Sequence, residues 1–382
     1  MSTPRPPAGR RLRRVVIAGG SLGGLCAGIA LRGIGCAVDV YERSPGPMTS
    51  RGAGIVVQPD LLALLRHHEA PQLPTTTCAV RRYLLADGGV QSETRMPQRF
   101  TSWDAIYQTL RATFPNEAYH RGDPVIDFAA EGEGVSVNFA AHAPVTADLL
   151  VCADGARSEA RRLLLPDVRA RYAGYIAWRG TLEESEAPRP LRAAFDNSFT
   201  FCDARSGGHI LCYFIPGANA GVEPGRRRLN WVWYVHADER TALPALLTDM
   251  SGERRDSSVP PGQVPGEHVA GLHAAAVREL HPHFADLVRV TGEPFIQAIE
   301  DVTVPRMVFG RACLLGDAAF VVRPHTAGAT AKAAADASTL AAALSQADVP
   351  RALASWERSQ LELGSQMTRY GVSLGERFAR RA

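Results

Sequence analysis

Short apolar runs broken by glycine open the chain. Arg14 to Ala18 has the length of a buried strand, the turn Gly19-Gly20-Ser21-Leu22-Gly23-Gly24 follows, and Leu25 to Arg32 is spaced as a helix. A second apolar run, Ala37 to Tyr41, ends on Glu42, and this order predicts a βαβ unit. Residues 75 to 100 predict short strands turning at Asp87-Gly88-Gly89. Asp104 to Phe114 predicts a helix with Ile106, Leu110 and Phe114 on one face. Ala147 to Cys152 reads as another buried strand. From Tyr172 to Val235 the period changes to strands, among them Phe199 to Cys202, His209 to Ile215 and Leu229 to His236. Asp249 to Gly271, rich in Pro, Gly, Ser and charge, predicts a mobile surface loop. A helix over His273 to Val290, a strand over Ala312 to Gly316, an Ala-rich helix over Thr330 to Leu344 and helix from Pro350 onward complete the pattern.

This alternation predicts an α/β protein of discontinuous domains. A Rossmann-like nucleotide domain takes residues 1–75, 100–171 and 292–345. A β-rich substrate domain takes 76–99 and 172–291, and 346–382 form a C-terminal helical segment. At 382 residues the chain can bury two cores.

Composition narrows the field. A 46% hydrophobic and 21% charged chain with net charge +3 is an ordinary globular one, not a disordered tail or a polyanion binder. The basic run Arg10, Arg11, Arg13 and Arg14 beside a Pro-rich start reads as a solvated end and not as a nucleic-acid arm. Seven cysteines without a C-x-x-C pair argue against a disulfide framework and a zinc site. No stretch reaches membrane-spanning length, so a reducing cytoplasm is the expectation. Lys332 is the sole lysine.

The N-terminal unit has the spacing of a dinucleotide fingerprint. Backbone amides and a helix N-terminus would face a pyrophosphate, and Glu42 would take ribose hydroxyls. Gly19 and Gly24 hold the outer glycine positions, with Ser21 at the central one. This pattern does not choose between FAD and NAD.

Two later runs do. Ala147-Asp148-Leu149-Leu150-Val151-Cys152-Ala153-Asp154-Gly155-Ala156-Arg157-Ser158 and Leu314-Leu315-Gly316-Asp317-Ala318-Ala319 resemble two signatures of the class A FAD-dependent aromatic hydroxylases, in family order. Four further segments resemble the 2,6-dihydroxypyridine 3-monooxygenase type of that family. They are Gly19-Gly20-Ser21, Thr101-Ser102-Trp103-Asp104, Tyr172 to Gly180, and Arg323-Pro324-His325 with Gly328 and Lys332. Phe320, Ala327, Ala329 and Trp103 depart from the wider family's residues. The resemblance implies a glutathione-reductase-type FAD domain, an NADH or NADPH co-substrate, O2, and hydroxylation of an electron-rich ring through a flavin C4a-hydroperoxide. It implies FAD contacts at Gly19, Gly20, Ser21, Leu22, Gly24, Glu42, Arg43, Gly54, Ile55, Val56, Trp103, Val125, Asp154, Gly316, Asp317, Pro324, Ala327, Gly328 and Ala329. A small aromatic substrate is expected, with no nucleic-acid or membrane partner, and a homodimer is an open expectation.

For catalysis, alternation puts His209 and Tyr213 on one strand face. His209 could accept a ring-hydroxyl proton, its free pKa being near neutral, or be a satisfied sheet histidine. Arg323 and His325 flank Pro324 in the loop that resembles the flavin-adjacent one; Arg323 could equally be a structural ion-pair partner. Trp178, Trp231 and Trp233 read as core or pocket wall. Trp231-Val232-Trp233 shares the spacing of flavin-dependent halogenases, but Tyr234-Val235-His236 follows in place of their Ile-Pro. A natural-product tailoring hydroxylase or epoxidase and a non-catalytic FAD-fold ligand-binding protein are the alternatives. A dehydrogenase using NAD alone leaves the Asp317 segment unexplained.

Overall fold

A computed structural model describes residues 13–46, 48 and 53–379. Arg10 and Arg11 of the basic run lie outside the described residues. In chain order the first half contains β1 (Arg14–Ala18), α1 (Leu22–Gly33), β2 (Ala37–Glu42), β3 (Gly54–Val56), α2 (Pro59–His67), β4 (Thr76–Leu84), β5 (Val90–Ser102), α3 (Trp103–Thr113), β6 (Tyr119–Arg121), β7 (Val125–Glu131), β8 (Gly134–Phe139), β9 (Val145–Ala147), β10 (Leu149–Cys152) and α4 (Glu159–Leu164). The second half contains β11 (Arg171–Glu183), α5 (Arg189–Phe195), β12 (Ser198–Asp203), β13 (His209–Pro216), β14 (Arg227–His236), α6 (Ala242–Leu246), β15 (Ser258–Val259), α7 (Gly266–Glu279), α8 (Pro282–Val290), β16 (Phe295–Thr303), β17 (Val308–Phe309), β18 (Ala312–Leu314), β19 (Phe320–Val321), α9 (Ala329–Gln346) and α10 (Val349–Ala379).

The apolar runs that predicted buried strands form the centre of a sheet ordered β17-β18-β10-β1-β2-β6. Its β18, β10, β1, β2 and β6 run parallel. Val15, Val16, Ile17 and Leu149 to Cys152 are wholly enclosed because helices cover the sheet. Their core continues through Val304, Leu340 and Trp356, so the start of the C-terminal segment belongs to it.

The second sheet runs β15-β16-β11-β14-β13-β12-β4-β5-β3, with β19 added on β16. One face packs Trp178, Trp231, Trp233, Ile210 and Phe214 against α5, α7 and α8. Trp231 is fully buried and its Nε1 donates to Thr291 Oγ1 at 2.9 Å, which makes the tryptophans core.

Four expectations shift. Residues 76–102 form one long hairpin of nine- and thirteen-residue strands. The helix expected over His273–Val290 is two, because Pro282 removes a backbone donor and starts α8. The segment Asp249–Gly271 holds β15 and the first turn and a half of α7. It is anchored by Asp249, which accepts from Ser251 N, Ser251 Oγ, Glu253 N and Arg255 Nε. Finally, β3 and β16, expected in the nucleotide domain, pair into the second sheet; the nucleotide core resumes at Val304, not at 292.

Candidate functional site

A cavity of about 680 Å³ lies between the two sheets, a volume suited to a small-molecule site. Two helix N-termini open on it. At α1 the wall is Ser21, Leu22 and Gly23; at α9 it is Gly328, Ala329 and Thr330. Their first-turn amides lack intrahelical acceptors and carry the positive end of the helix dipole, so both favour negative oxygen.

The α1 turn is held by contacts that sequence spacing only partly revealed. Gly19 has φ +100, and a Cβ there would sit 2.5 Å from the Ala153 carbonyl oxygen, so only glycine fits between β1 and β10. Glu42, at the end of β2, accepts from Gly20 N at 2.8 Å and from Ser44 N at 2.8 Å. Tyr119 Oη donates to Gly20 O at 2.8 Å and meets Tyr107 Oη at 3.2 Å. Tyr107 stacks on Trp103, which lines the cavity.

Asp317 occupies the turn after β18 and opens onto the cavity. Protein packed around its other sides raises its carboxyl pKa, with Lys332 opposing. Gly316, with φ +63, lies buried behind it. Lys332, 2% exposed, pairs through Nζ with Asp336 Oδ2 at 2.6 Å, and that oxygen also accepts from Gly316 N at 3.0 Å. Arg161 donates to the carbonyls of Asp317, Ala318 and Ala156, tying the two flavin-type motifs together. Nothing in the pattern pointed to Arg161 or Tyr119, whose roles depend on contacts more than ninety residues away.

The opposite wall follows from strand register. Side chains alternate across a sheet, so residues of one parity face the cavity. The central row is Arg179, Val232, Leu211, Phe201 and Tyr83, each paired with the next across adjacent strands. One row over stand Gln297, Ala177, Tyr234 and His209. On the other side lie Asn230 and Tyr213, then Phe199 and Arg81. Strand β3 closes this end: Gly54 N donates to Asn230 Oδ1 at 2.8 Å, and a Cβ on Gly54 would lie 2.7 Å from the Tyr213 ring. Gly54, Ile55 and Val56 all line the cavity.

Burial pushes the Tyr213 hydroxyl up, and that of Tyr234 up to about 12, with Arg179 opposing both. Both are therefore donors at neutral pH. Burial, then His325, lowers His209 to about 3. A charged imidazole is costly in that enclosure, which favours the neutral form of His209. His325 lines the cavity beside Pro324, donates from Nε2 to Gly371 O of α10 at 3.0 Å, and is also lowered by burial.

Other expected contacts are off the cavity wall. Arg323 makes a bidentate pair with Asp301, at 2.7 Å through Nη2 and 3.0 Å through Nε, the structural alternative. Asp154 accepts from Ser158 Oγ at 2.5 Å and Ala160 N at 3.1 Å, so its carboxylate caps α4, while its neighbours Ala153 and Gly155 line the cavity. Arg43 is exposed, and Val125 packs on the nucleotide core. Gly19, Gly20 and Gly24 are backing to the wall formed by Ser21 and Leu22. Ala327 lines the cavity in the left-handed region, φ +53, which explains why a glycine suits that position. The C-terminal helix also contributes: Tyr370 and Leu374 complete the wall.

The parallel sheet, glycine turn and acidic strand end define a dinucleotide-binding protein with a second sheet closing its cavity. A family model described as FAD binding domain-like matches residues 172–301, the segment that builds most of that second sheet. The chain is 36% identical to 2,6-dihydroxypyridine 3-monooxygenase of Paenarthrobacter nicotinovorans, over 92% of this chain and 88% of the relative. It is 25% identical to 6-hydroxynicotinate 3-monooxygenase of Pseudomonas fluorescens, over 93% and 89%. The solved structure of 2,6-dihydroxypyridine-3-hydroxylase from Arthrobacter nicotinovorans superposes with a TM-score of 0.90 at 34% identity, covering 97% of this chain and 93% of that one. The chain belongs to the FAD-dependent aromatic hydroxylases and is an FAD-dependent monooxygenase. The α1 turn, with Gly19 in a position no side chain could take, and the cavity-facing Asp317 fit that cofactor. Among the described residues no helix is long and apolar enough to cross a membrane.

Proposed function

We propose that the cavity hydroxylates an electron-rich ring of hydroxypyridine type, with NAD(P)H and O2 as co-substrates. The observation that carries this reading is the shared cavity: the cofactor wall of α1, Asp317 and α9 faces three side-chain rows of a separate sheet. The α1 amides at Ser21 and Leu22 would receive the pyrophosphate, Glu42 a ribose, Asp317 the ribityl chain, and the Pro324–Ala329 turn the flavin ring edge. Bound FAD supplies the reducible ring system at which oxygen is activated for transfer.

The protein's own work is positioning and exclusion of water. Tyr213 and Tyr234 keep their protons and donate to a ring oxygen. Neutral His209 orients by hydrogen bonding and does not store a proton. Phe199 and Phe201 supply an apolar flank, while Tyr370 and Leu374 of α10 close the mouth and limit loss of the activated oxygen to water. The test is NAD(P)H oxidation by the FAD-loaded protein across hydroxylated pyridines and phenols, with NADH and NADPH compared and product mass measured. A ring product heavier by one oxygen is expected; oxidation unaffected by every ring compound sinks the reading.

A further inference from the structure

Arg179 stands at the centre of the substrate wall, on β11, and is 8% exposed. Its Nε is buried without a hydrogen-bond partner. Among the described residues no carboxylate lies within ion-pair distance of it. The two other fully buried arginines among the described residues, and the partly buried Arg227, are held differently. Arg323 is paired with Asp301, Arg227 with Glu184, and Arg161 is held by three carbonyls. A guanidinium cannot lose its proton in a protein, so burying one without a counter-charge works against stability.

The groups facing Arg179 offer no anion either. Tyr213 and Tyr234 remain protonated and His209 neutral. Arg81, the other cation on this wall, donates to Gln98 and lies over the rings of Phe199 and Phe201. The cavity's carboxylate, Asp317, belongs to the cofactor wall. The sheet side of the cavity therefore carries positive charge that no carboxylate among the described residues pairs with.

We propose that Arg179 is the counter-ion of an anionic aromatic substrate and selects rings bearing a negatively charged oxygen. This rests on the monooxygenase reading and names its substrate class. It also assigns the ionised state of the ring to an electrostatic partner in place of a base in the cavity: the ring gives its proton to bulk water before it enters, and the bound oxyanion is favoured beside a fixed guanidinium. Arg179 is here a specificity-determining residue, and its hydrogen bonds to a charged oxygen are of the strong, charge-assisted kind.

The test uses oxidised, FAD-loaded protein and titration calorimetry with matched probes. One arm compares 2,6-dihydroxypyridine with 2,6-dimethoxypyridine; the other compares nicotinate with nicotinamide. The arms separate a ring oxyanion from a ring carboxylate. In the wild type the anionic member of at least one pair is expected to bind roughly tenfold or more tightly than its neutral partner. Arg179→Gln should bring that preference near unity, and Arg179→Lys should keep part of it. FAD content should be unchanged in both, and the Tm of ligand-free Arg179→Gln should equal or exceed that of the wild type. A structural ion-pair residue would give a lower Tm instead. The proposal is overturned if the wild type shows no preference in either arm, if Arg179→Gln retains the preference, or if it loses FAD, which would give Arg179 to the cofactor. Failure of the monooxygenase reading is separate: charge preference would persist in protein that forms no oxygenated product.

Discussion

The proposed cofactor wall and the proposed substrate wall of one cavity are built by different means. The first is mostly backbone: amides of two helix ends, a glycine turn wedged against Ala153, and one carboxylate. The second is side chains from β4, β11, β12, β13 and β14, brought into rows by register. A backbone wall tolerates few changes of shape, because a Cβ in the wrong place displaces the chain itself. A side-chain wall can be rewritten residue by residue while the sheet stays intact. Relatives with different substrates in their names are expected from such a division.

The sharpest contrast should come from Gly19. Gly19→Ala puts a Cβ 2.5 Å from a carbonyl oxygen at a φ of +100, so we expect a loss of about 3 kcal/mol or more in folding stability and failure to retain FAD. Denaturant unfolding and flavin absorbance measure both; wild-type stability would break the claim that this wall is rigid. At Asp317 the fold should survive and the cofactor should not. Asp317→Ala is expected to weaken FAD binding about ten- to a hundredfold, the value of one hydrogen bond to a charged group, and equilibrium dialysis with an unchanged affinity would remove the ribityl assignment.

On the substrate wall the expected signature is pH. His209 is lowered from 6.5 to about 3 in the folded protein. Above pH 6.5 both states are neutral there and it contributes nothing. As pH falls below 6.5 the unfolded chain takes up a proton that the folded chain refuses, so stability drops, by about 2 kcal/mol at pH 5. His209→Asn should show correspondingly less acid destabilisation between pH 7 and 5, and identical slopes would return a normal pKa to His209. The smallest effect is at Ala327, whose left-handed backbone disfavours a side chain. Ala327→Gly should raise stability by up to about 1 kcal/mol with FAD retained, and a lowered Tm would mean that its methyl group packs usefully.

The same division sets what the sequence could tell. The glycine turn, Glu42 and the Asp317 turn sit in contiguous motifs, and the buried strands β1, β2 and β10 announce themselves by their apolar runs. Pairing of His209 with Tyr213 on one face was legible from alternation within a single strand. Arg179, Phe201 and Tyr83 were not, since they lie more than a hundred residues apart at the extremes and meet only through strand order. The neutrality of His209 was hidden for a related reason: it comes from enclosure by elements distant in sequence. Asp154 and Arg323 carried family motifs, yet their charges are satisfied by Ser158 and Ala160 and by Asp301.

The single lysine has a practical consequence. Acylating reagents that attack neutral amines find no lysine on the folded surface, because Lys332 is sealed against Asp336 and beneath the Phe320 ring. Modification of that one side chain becomes a chemical clock for the opening of the turn that carries Asp317. Its rate, read by peptide mass at Lys332, counts excursions of the proposed cofactor wall with no background from other lysines, and ligands that clamp the wall should slow it.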